Sequence, residues 1–275
     1  MKEVDVGIRR AQGLADYQAC VELQKDVWRF TESEDIAAFP ILMIANRSGG
    51  SVLVAQDASG RFVGFSFALP GWRPDGKRIW WSHMTAVAEE YRARETGLRL
   101  KLKQREEALK EGIDEINWTF DPLQAVNANF NVHRLGVVVR TYEENIYGTS
   151  SSALHRGLPT DRFVAEWHLR SDRVQERIGI GETALIMRDL DRIPRINLPD
   201  QPPSLGLDES PLLLEIPVNL NELKAVDLQR ARQWQDRVRI ACQHYMGAGY
   251  VVTDFVMPKQ PRPQAVYVLE KAKGQ

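Results

Sequence analysis

Short apolar runs at 6–10, 51–55 and 62–67 alternate with polar residues or stop at turn-forming ones, which is the pattern of β-strands. Asp57-Ala58-Ser59-Gly60 joins the second run to the third as a turn, and Pro74-Asp75-Gly76 leads into a fourth strand over 79–87. Between the first two runs the period changes. Tyr17, Cys20, Val21, Leu23, Gln24 and Trp28 recur at helical spacing, and a second helical stretch runs from about Ser33 to Ala45. The N-terminal portion therefore reads βααβββ.

The clearest helix covers 97–112. Leu98, Leu102, Leu109 and Ile113 recur every four or seven residues and predict one apolar face. Glu106 stands four residues before Lys110, the favourable order for a surface pair, and Gly112 supplies a C-terminal stop. A strand at 116–120, a turn at Asp121-Pro122, a short helix over 126–135 and a strand at 137–139 follow. After the apolar run 163–169 the composition shifts. Pro194, Pro199, Pro202, Pro203 and Pro211 fall in a polar stretch that suits neither a regular helix nor a central strand, so roughly 190–211 reads as connector. A strand at 212–218, a helical stripe of Ala231, Trp234, Val238, Ala241 and Tyr245, and strands at 250–256 and 265–269 form a βαββ module. The expected organisation is a domain over 1–170, a connector over 171–211 and a module over 212–275.

Composition narrows the function classes. Across 275 residues, 36 Lys and Arg balance 37 Asp and Glu, so the broad basic field of a nucleic-acid binder is missing. Cys20 and Cys242 make neither a CxxC pair nor a disulfide framework, which suits a reducing compartment. The chain starts polar, and its longest apolar run, 39–45, contains Pro40 and is too short to span a bilayer. A soluble cytoplasmic protein with no nucleic-acid or membrane partner is expected. The histidines show no HxH or HExxH spacing, so no metal is expected, and neither a G-x-S-x-G elbow nor a P-loop occurs.

The strand ending at Val87 turns through Arg92-Ala93-Arg94-Glu95-Thr96-Gly97 into the 97–112 helix. A strand-to-helix turn of this kind aims free backbone N–H groups and the positive end of the helix dipole at one spot, which suits a phosphate or diphosphate. Arg92 and Arg94 add charge beside it. Arg99, Lys101, Lys103 and Arg105 either screen further phosphates or form an ordinary solvated helix face.

His83-Met84, the Tyr91-to-Gly97 turn, Leu100 to Glu106, Trp118 to Leu123, Asn127 to Asn131, Leu135-Gly136, Tyr142 with Asn145 to Gly148, and Gly249 to Phe255 form an ordered series. That series resembles the GNAT acyltransferase superfamily, and more closely a bacterial branch of predicted GNAT acetyltransferases with a C-terminal extension. The resemblance implies an α/β (α+β) fold: a mixed, largely antiparallel sheet flanked by helices, followed by the βαββ module. It implies acetyl-CoA, or another acyl-CoA, as co-substrate bound within 1–170. The turn would wrap the coenzyme diphosphate through Arg92, Ala93, Arg94, Glu95, Thr96 and Gly97, although Glu95 stands where the superfamily pattern Q/R-x-x-G-x-G/A has its first glycine. Its carboxylate is expected to point outward while its backbone serves the phosphates. Met84, Thr85, Ala86 and Val87 would lie on a strand splayed from its neighbour, pairing with the pantetheine arm and offering an amide to the developing oxyanion.

Acyl transfer to an amine also needs a base and a proton for the departing thiolate. His83 is the first candidate base. Asp121, at the exit of the next strand, is the second unless it merely terminates that strand. The superfamily's tyrosine acid, four residues before the glycine of the Leu-Gly pair, corresponds to Val132, so Tyr142 and Tyr147 are the substitute candidates. Asn127 and Asn131 are expected to hydrogen-bond the pantetheine or acyl group, or to cap locally. Trp72, Trp80 and Trp81 either line an acceptor pocket or pack. The expected acceptor is a small-molecule amine, with the C-terminal module completing its site or building a homodimer contact. The competing expectation is a non-catalytic acyl-CoA-binding or sensing protein.

Overall fold

The computed structural model describes residues 6–30, 32–148, 157–179, 190–199, 201–258 and 264–272. The polar start at 1–5 and part of the expected connector, 180–189 and 200, lie outside these residues. Contacts divide the described residues into two compact units, 6–118 and 119–148 with 157–272. This division falls inside a strand, and differs from the division by composition at 170 and 211.

The first unit runs β1 (Val6–Arg10), α1 (Gly13–Trp28), α2 (Phe39–Arg47), β2 (Ser51–Asp57), β3 (Phe62–Trp72), β4 (Arg78–Val87), α3 (Thr96–Lys110) and, as far as Trp118, β5 (Glu115–Phe120). The βααβββ reading holds. Strands lie in the order β1-β2-β3-β4-β5, antiparallel up to β4 and parallel between β4 and β5. Leu42, Val52, Leu53, Val54, Phe65 and Phe67 are fully buried where α1, α2 and α3 pack on the sheet.

The second helix begins later than its periodicity predicts. Ser33–Asp35 make a single 3₁₀ turn, and α2 starts only at Phe39. Proline has no N–H and crowds the preceding turn, so Pro40 fits only at the start of a helix, where that N–H is not needed. The α3 face also differs. Leu98, Leu100, Lys101, Gln104 and Ala108 are buried, whereas Leu102 and Leu109 are only partly covered. Lys101 and Gln104 enter the interior because they satisfy each other's polar groups, as described below. The helix stops where expected: Gly112 at φ +71° lets the Ile113 N–H reach the Ala108 carbonyl at 2.9 Å.

The second unit contains α4 (Ala125–Ala128), which continues as a π-helical turn over Asn129–Arg134, then β6 (Val138–Glu143), β7 (Arg162–His168) and α5 (Asp172–Gly179). β8 (Leu212–Pro217), α6 (Leu220–Val226), α7 (Leu228–Gly247), β9 (Tyr250–Val256) and β10 (Gln264–Lys271) complete it. Strands lie in the order β7-β6-β9-β10-β8, every pair antiparallel. The expected βαββ module is βααββ, because Asp227 ends one helix and caps the next: its side chain accepts the Arg230 N–H at 2.9 Å. The proline-rich segment is irregular as predicted. Arg195 bridges Leu213, and the Asn197 side chain exchanges two bonds with the Glu215 backbone, at 2.9 and 2.7 Å.

Candidate functional site

The parallel pair β4–β5 is short. Among the described residues its partners are Trp80↔Ile116 and Trp81↔Asn117 alone, although β4 continues to Val87. Past Trp81 and Asn117 the two strands no longer pair with each other, which opens a fork beginning at Ser82 and Trp118. β4 stays bound to β3 along its other edge. There the register shifts between Phe67↔Met84 and Ala68↔Ser82, which leaves His83 as the extra residue of a β-bulge. The bulge turns His83 outward. Its ring keeps solvent contact yet lies edge-on to Phe67 with centroids 5.8 Å apart, and the protein around it displaces enough water to lower its pKa below the usual value. The imidazole is therefore neutral at pH 7. Of the expected pantetheine strand, Met84, Thr85 and Val87 are partly exposed and Ala86 is buried.

β4 ends in a 3₁₀ turn, Glu89–Arg94, tied back by Tyr91, whose hydroxyl donates to Asp57 Oδ2 at 2.6 Å. Arg92 is exposed and donates from Nε to the Val87 carbonyl at 3.1 Å, which fixes the base of its side chain beside the turn. The side chains of Ala93 and Arg94 lie outside what the structure describes. Glu95 is exposed and adopts φ +55°, the left-handed region that favours glycine. That backbone geometry gives a physical reason for a glycine at this place in the superfamily pattern.

α3 then begins at Thr96 with no side-chain cap among the described residues. Thr96 is fully buried, and its Oγ1 has no hydrogen-bond partner among the described residues, a state that costs about 1–3 kcal/mol if nothing binds there. A Cβ added at Gly97 would approach only Val87 Cγ2, at 3.9 Å. Glycine is required there neither by backbone angle nor by protein packing. It leaves open space at the positive end of a 15-residue helix.

The basic series after the turn splits three ways. Arg99 donates to the Val6 carbonyl at 2.6 Å, and Lys103 pairs with Glu106 and Glu107. Lys101 does something the sequence did not signal. It is 3 % exposed, with Nζ 2.9 Å from Ser82 Oγ, 3.2 Å from Gln104 Oε1 and 3.7 Å from the centre of the Trp118 ring. Gln104 in turn donates to Ser66 Oγ at 2.9 Å. Burial pulls the Lys101 pKa down to about 7.

The remaining proton-transfer and hydrogen-bonding candidates belong to the second unit. Asp121 Oδ1 accepts the Leu123 N–H at 2.8 Å, capping the turn after β5, and burial raises its pKa. Asn131 donates to Asn127 Oδ1 at 3.1 Å, so the two asparagines pair along their helix. Tyr142 donates to Asp161 Oδ2 at 2.5 Å; burial and that bond raise its pKa above the ordinary phenol value. Tyr147 is exposed, with its hydroxyl 2.8 Å from Thr119 Oγ1. Val132 is fully buried. Among the tryptophans, Trp80 is buried and donates to the Gly49 carbonyl at 2.8 Å, Trp81 is half-buried, and Trp72 is exposed.

Among the described residues no cluster of His, Cys, Asp or Glu could hold a metal ion, and no helix is long and apolar enough to cross a membrane. Cys20 and Cys242 are buried, and burial pushes the Cys20 thiol up to about 12. A cavity of about 450 Å³ borders the turn on its α1 side, lined by Val27, Trp28, Arg29, Arg61, Glu90 and Arg92 among others.

No protein-family profile and no curated protein sequence matches the chain. Several solved structures are similar to it. An acetyltransferase of the GNAT family from Streptococcus pneumoniae is 16 % identical at a TM-score of 0.47, over 59 % of this chain and 98 % of that one. The ribosomal-protein-S18-alanine N-acetyltransferase of Escherichia coli is 13 % identical at 0.47, over 66 % and 100 %. A chain of the NatC complex bound to Gag peptide and CoA is 13 % identical at 0.48, over 60 % and 98 %.

Proposed function

We propose that the chain is an acyl-CoA-dependent N-acyltransferase, with acetyl as the default acyl group, in which an amine attacks the thioester directly. The observation that carries this reading is the fork past Trp81 and Asn117 joined, through one turn, to the open start of α3. These are the two features that the resemblance to the GNAT superfamily calls for.

In this reading the coenzyme diphosphate takes the N–H groups of Thr96, Gly97 and Leu98, with the Thr96 hydroxyl as a further donor and Arg92 as counter-charge. The pantetheine arm pairs with Met84 to Val87 as an added strand. An amide of the parted strand faces the thioester carbonyl and stabilises the negative charge that develops on its oxygen. His83, neutral because its charged form is poorly hydrated, accepts the proton that the attacking amine loses. The C–S bond breaks as the amide forms, the coenzyme thiolate takes up a proton from solvent, and the proton held by His83 is released to solvent. A small-molecule amine is the proposed acceptor, and the protein is proposed to be cytoplasmic.

Titration calorimetry with coenzyme A, followed by thiol release from acetyl-CoA against a panel of amines, amino acids and N-terminal peptides, tests the proposal. Binding with amine-dependent thiol release is the expected result. A second reading, a non-catalytic acyl-CoA sensor, is favoured by Val132 at the superfamily's tyrosine position and by the engagement of Tyr142 with Asp161. Tight binding with no turnover across the panel would select it.

A further inference from the structure

Lys101 reaches from α3 to both arms of the fork. Ser82, its hydroxyl partner, is the first residue of β4 beyond the last paired one, Trp81. Trp118, whose ring it overlies, is the first residue of β5 beyond Asn117. The amine thus sits where the strands begin to part, bonded to one arm and stacked on the other. We infer that Lys101 is a positioning residue that sets the opening of the β4–β5 fork for the pantetheine arm.

Stability does not account for this lysine. Its partners on α3, β4 and β5 are Gln104, Ser82 and Trp118, with Ser66 of β3 reached through Gln104; none is a carboxylate that would offset a buried ammonium. A methionine of similar length would fill the space. It would leave no polar group stranded, since Ser82 Oγ already lies 3.1 Å from Gln104 Oε1. What methionine would remove is the attraction between amine and indole that ties the β5 arm to α3. Beyond their two-pair ladder the strands need some other spacer, and Lys101 touches both at the branch point. A residue that costs folding free energy yet joins the two arms is explained by what the fork does.

The inference rests on the acyl-CoA reading, and the experiment separates the two. Wild-type protein and the Lys101→Met variant are titrated calorimetrically with coenzyme A and with adenosine 3′-phosphate 5′-diphosphate, which carries the diphosphate and lacks the pantetheine. The expected result is a loss of about tenfold or more in coenzyme A affinity with the nucleotide affinity unchanged, while the melting temperature of the free variant rises. Trp118→Leu, which removes the other half of the tie, is expected to give the same selective loss, and it decides the matter if Lys101→Met does not fold. In turnover, the KM for acetyl-CoA should rise with kcat held, a split that a merely structural residue would not produce. Equal effects on both ligands, or none on either, would overturn the role of Lys101. Failure of the wild-type protein to bind either ligand would instead overturn the acyl-CoA reading beneath it.

Discussion

The Tyr142 hydroxyl donates to Asp161 at 2.5 Å, and Asp161 is only 1 % exposed. Arg239 holds the same carboxylate through Nε and Nη2, at 2.9 and 3.1 Å, and the Asn145 N–H adds a bond of 3.0 Å. This is a closed polar network inside the second unit. Tyr142→Phe removes one donor and leaves the charge paired, so it should cost about 1–3 kcal/mol in urea denaturation. Thiol release at saturating substrate should be unchanged. A loss of turnover in a fully folded variant would return Tyr142 to the list of proton donors.

Glu95 carries a side chain where φ is +55°. Relief of that strain makes Glu95→Gly more stable by about 1 kcal/mol, readable as a higher denaturation midpoint. Because the carboxylate is exposed and carries charge of the same sign as a phosphate, coenzyme A affinity should stay the same or improve. A large loss in calorimetry would contradict the outward placement of this group.

His83 should govern the acid side of the rate profile. Its pKa lies below the usual 6.5, so kcat/KM should fall only as pH drops below that value and the imidazole takes up its proton. His83→Gln should lower kcat by about 10²–10⁴-fold and remove this limb. An unchanged limb in that variant would exclude His83 as the base.

Lys101 gives a stability signature on the alkaline side. Below pH 7 the folded and unfolded chains both hold its proton, and burial of the charge weakens the fold in full. As pH rises from about 7 toward 10.5, the folded chain has released the proton and the unfolded chain still binds it, so stability grows through that window. Lys101→Met lacks this dependence. Its advantage over the wild type should reach a few kcal/mol at pH 6 and shrink steadily toward pH 10, measured by denaturant midpoints.

Most strands and the limits of α3 were legible because alternation, turn residues and a stop glycine each have one local cause. Four features were not. Pro40 marked the start of α2, yet the helical spacing on both sides of it suggested one continuous stretch. α5 is only eight residues long, with Val174 and Ile178 as its apolar pair, too short a run to stand out from the polar stretch; Arg173 donates to the carbonyls of Gly136, Val132 and Thr253, and Arg177 pairs with Asp254, so side-chain hydrogen bonds help hold a helix that reads as connector. Lys101 was hidden for a related reason. Its residue type signals solvent, and only the simultaneous presence of Gln104, Ser82 and Trp118, brought from three elements, makes an interior place for it. The turn and the strand before it were readable from spacing, whereas the bulge that turns His83 outward depends on a register shift against β3 that no single segment encodes.

The early parting of β4 from β5 also bears on how the protein behaves when it has nothing bound. A backbone edge that loses its neighbour midway is sticky, because hydrogen-bonding groups along it seek any extended chain, including that of another copy. An elongated guest lying against Met84 to Val87 would close that edge as well as react beside it, so concentrated, unliganded preparations are the ones expected to self-associate.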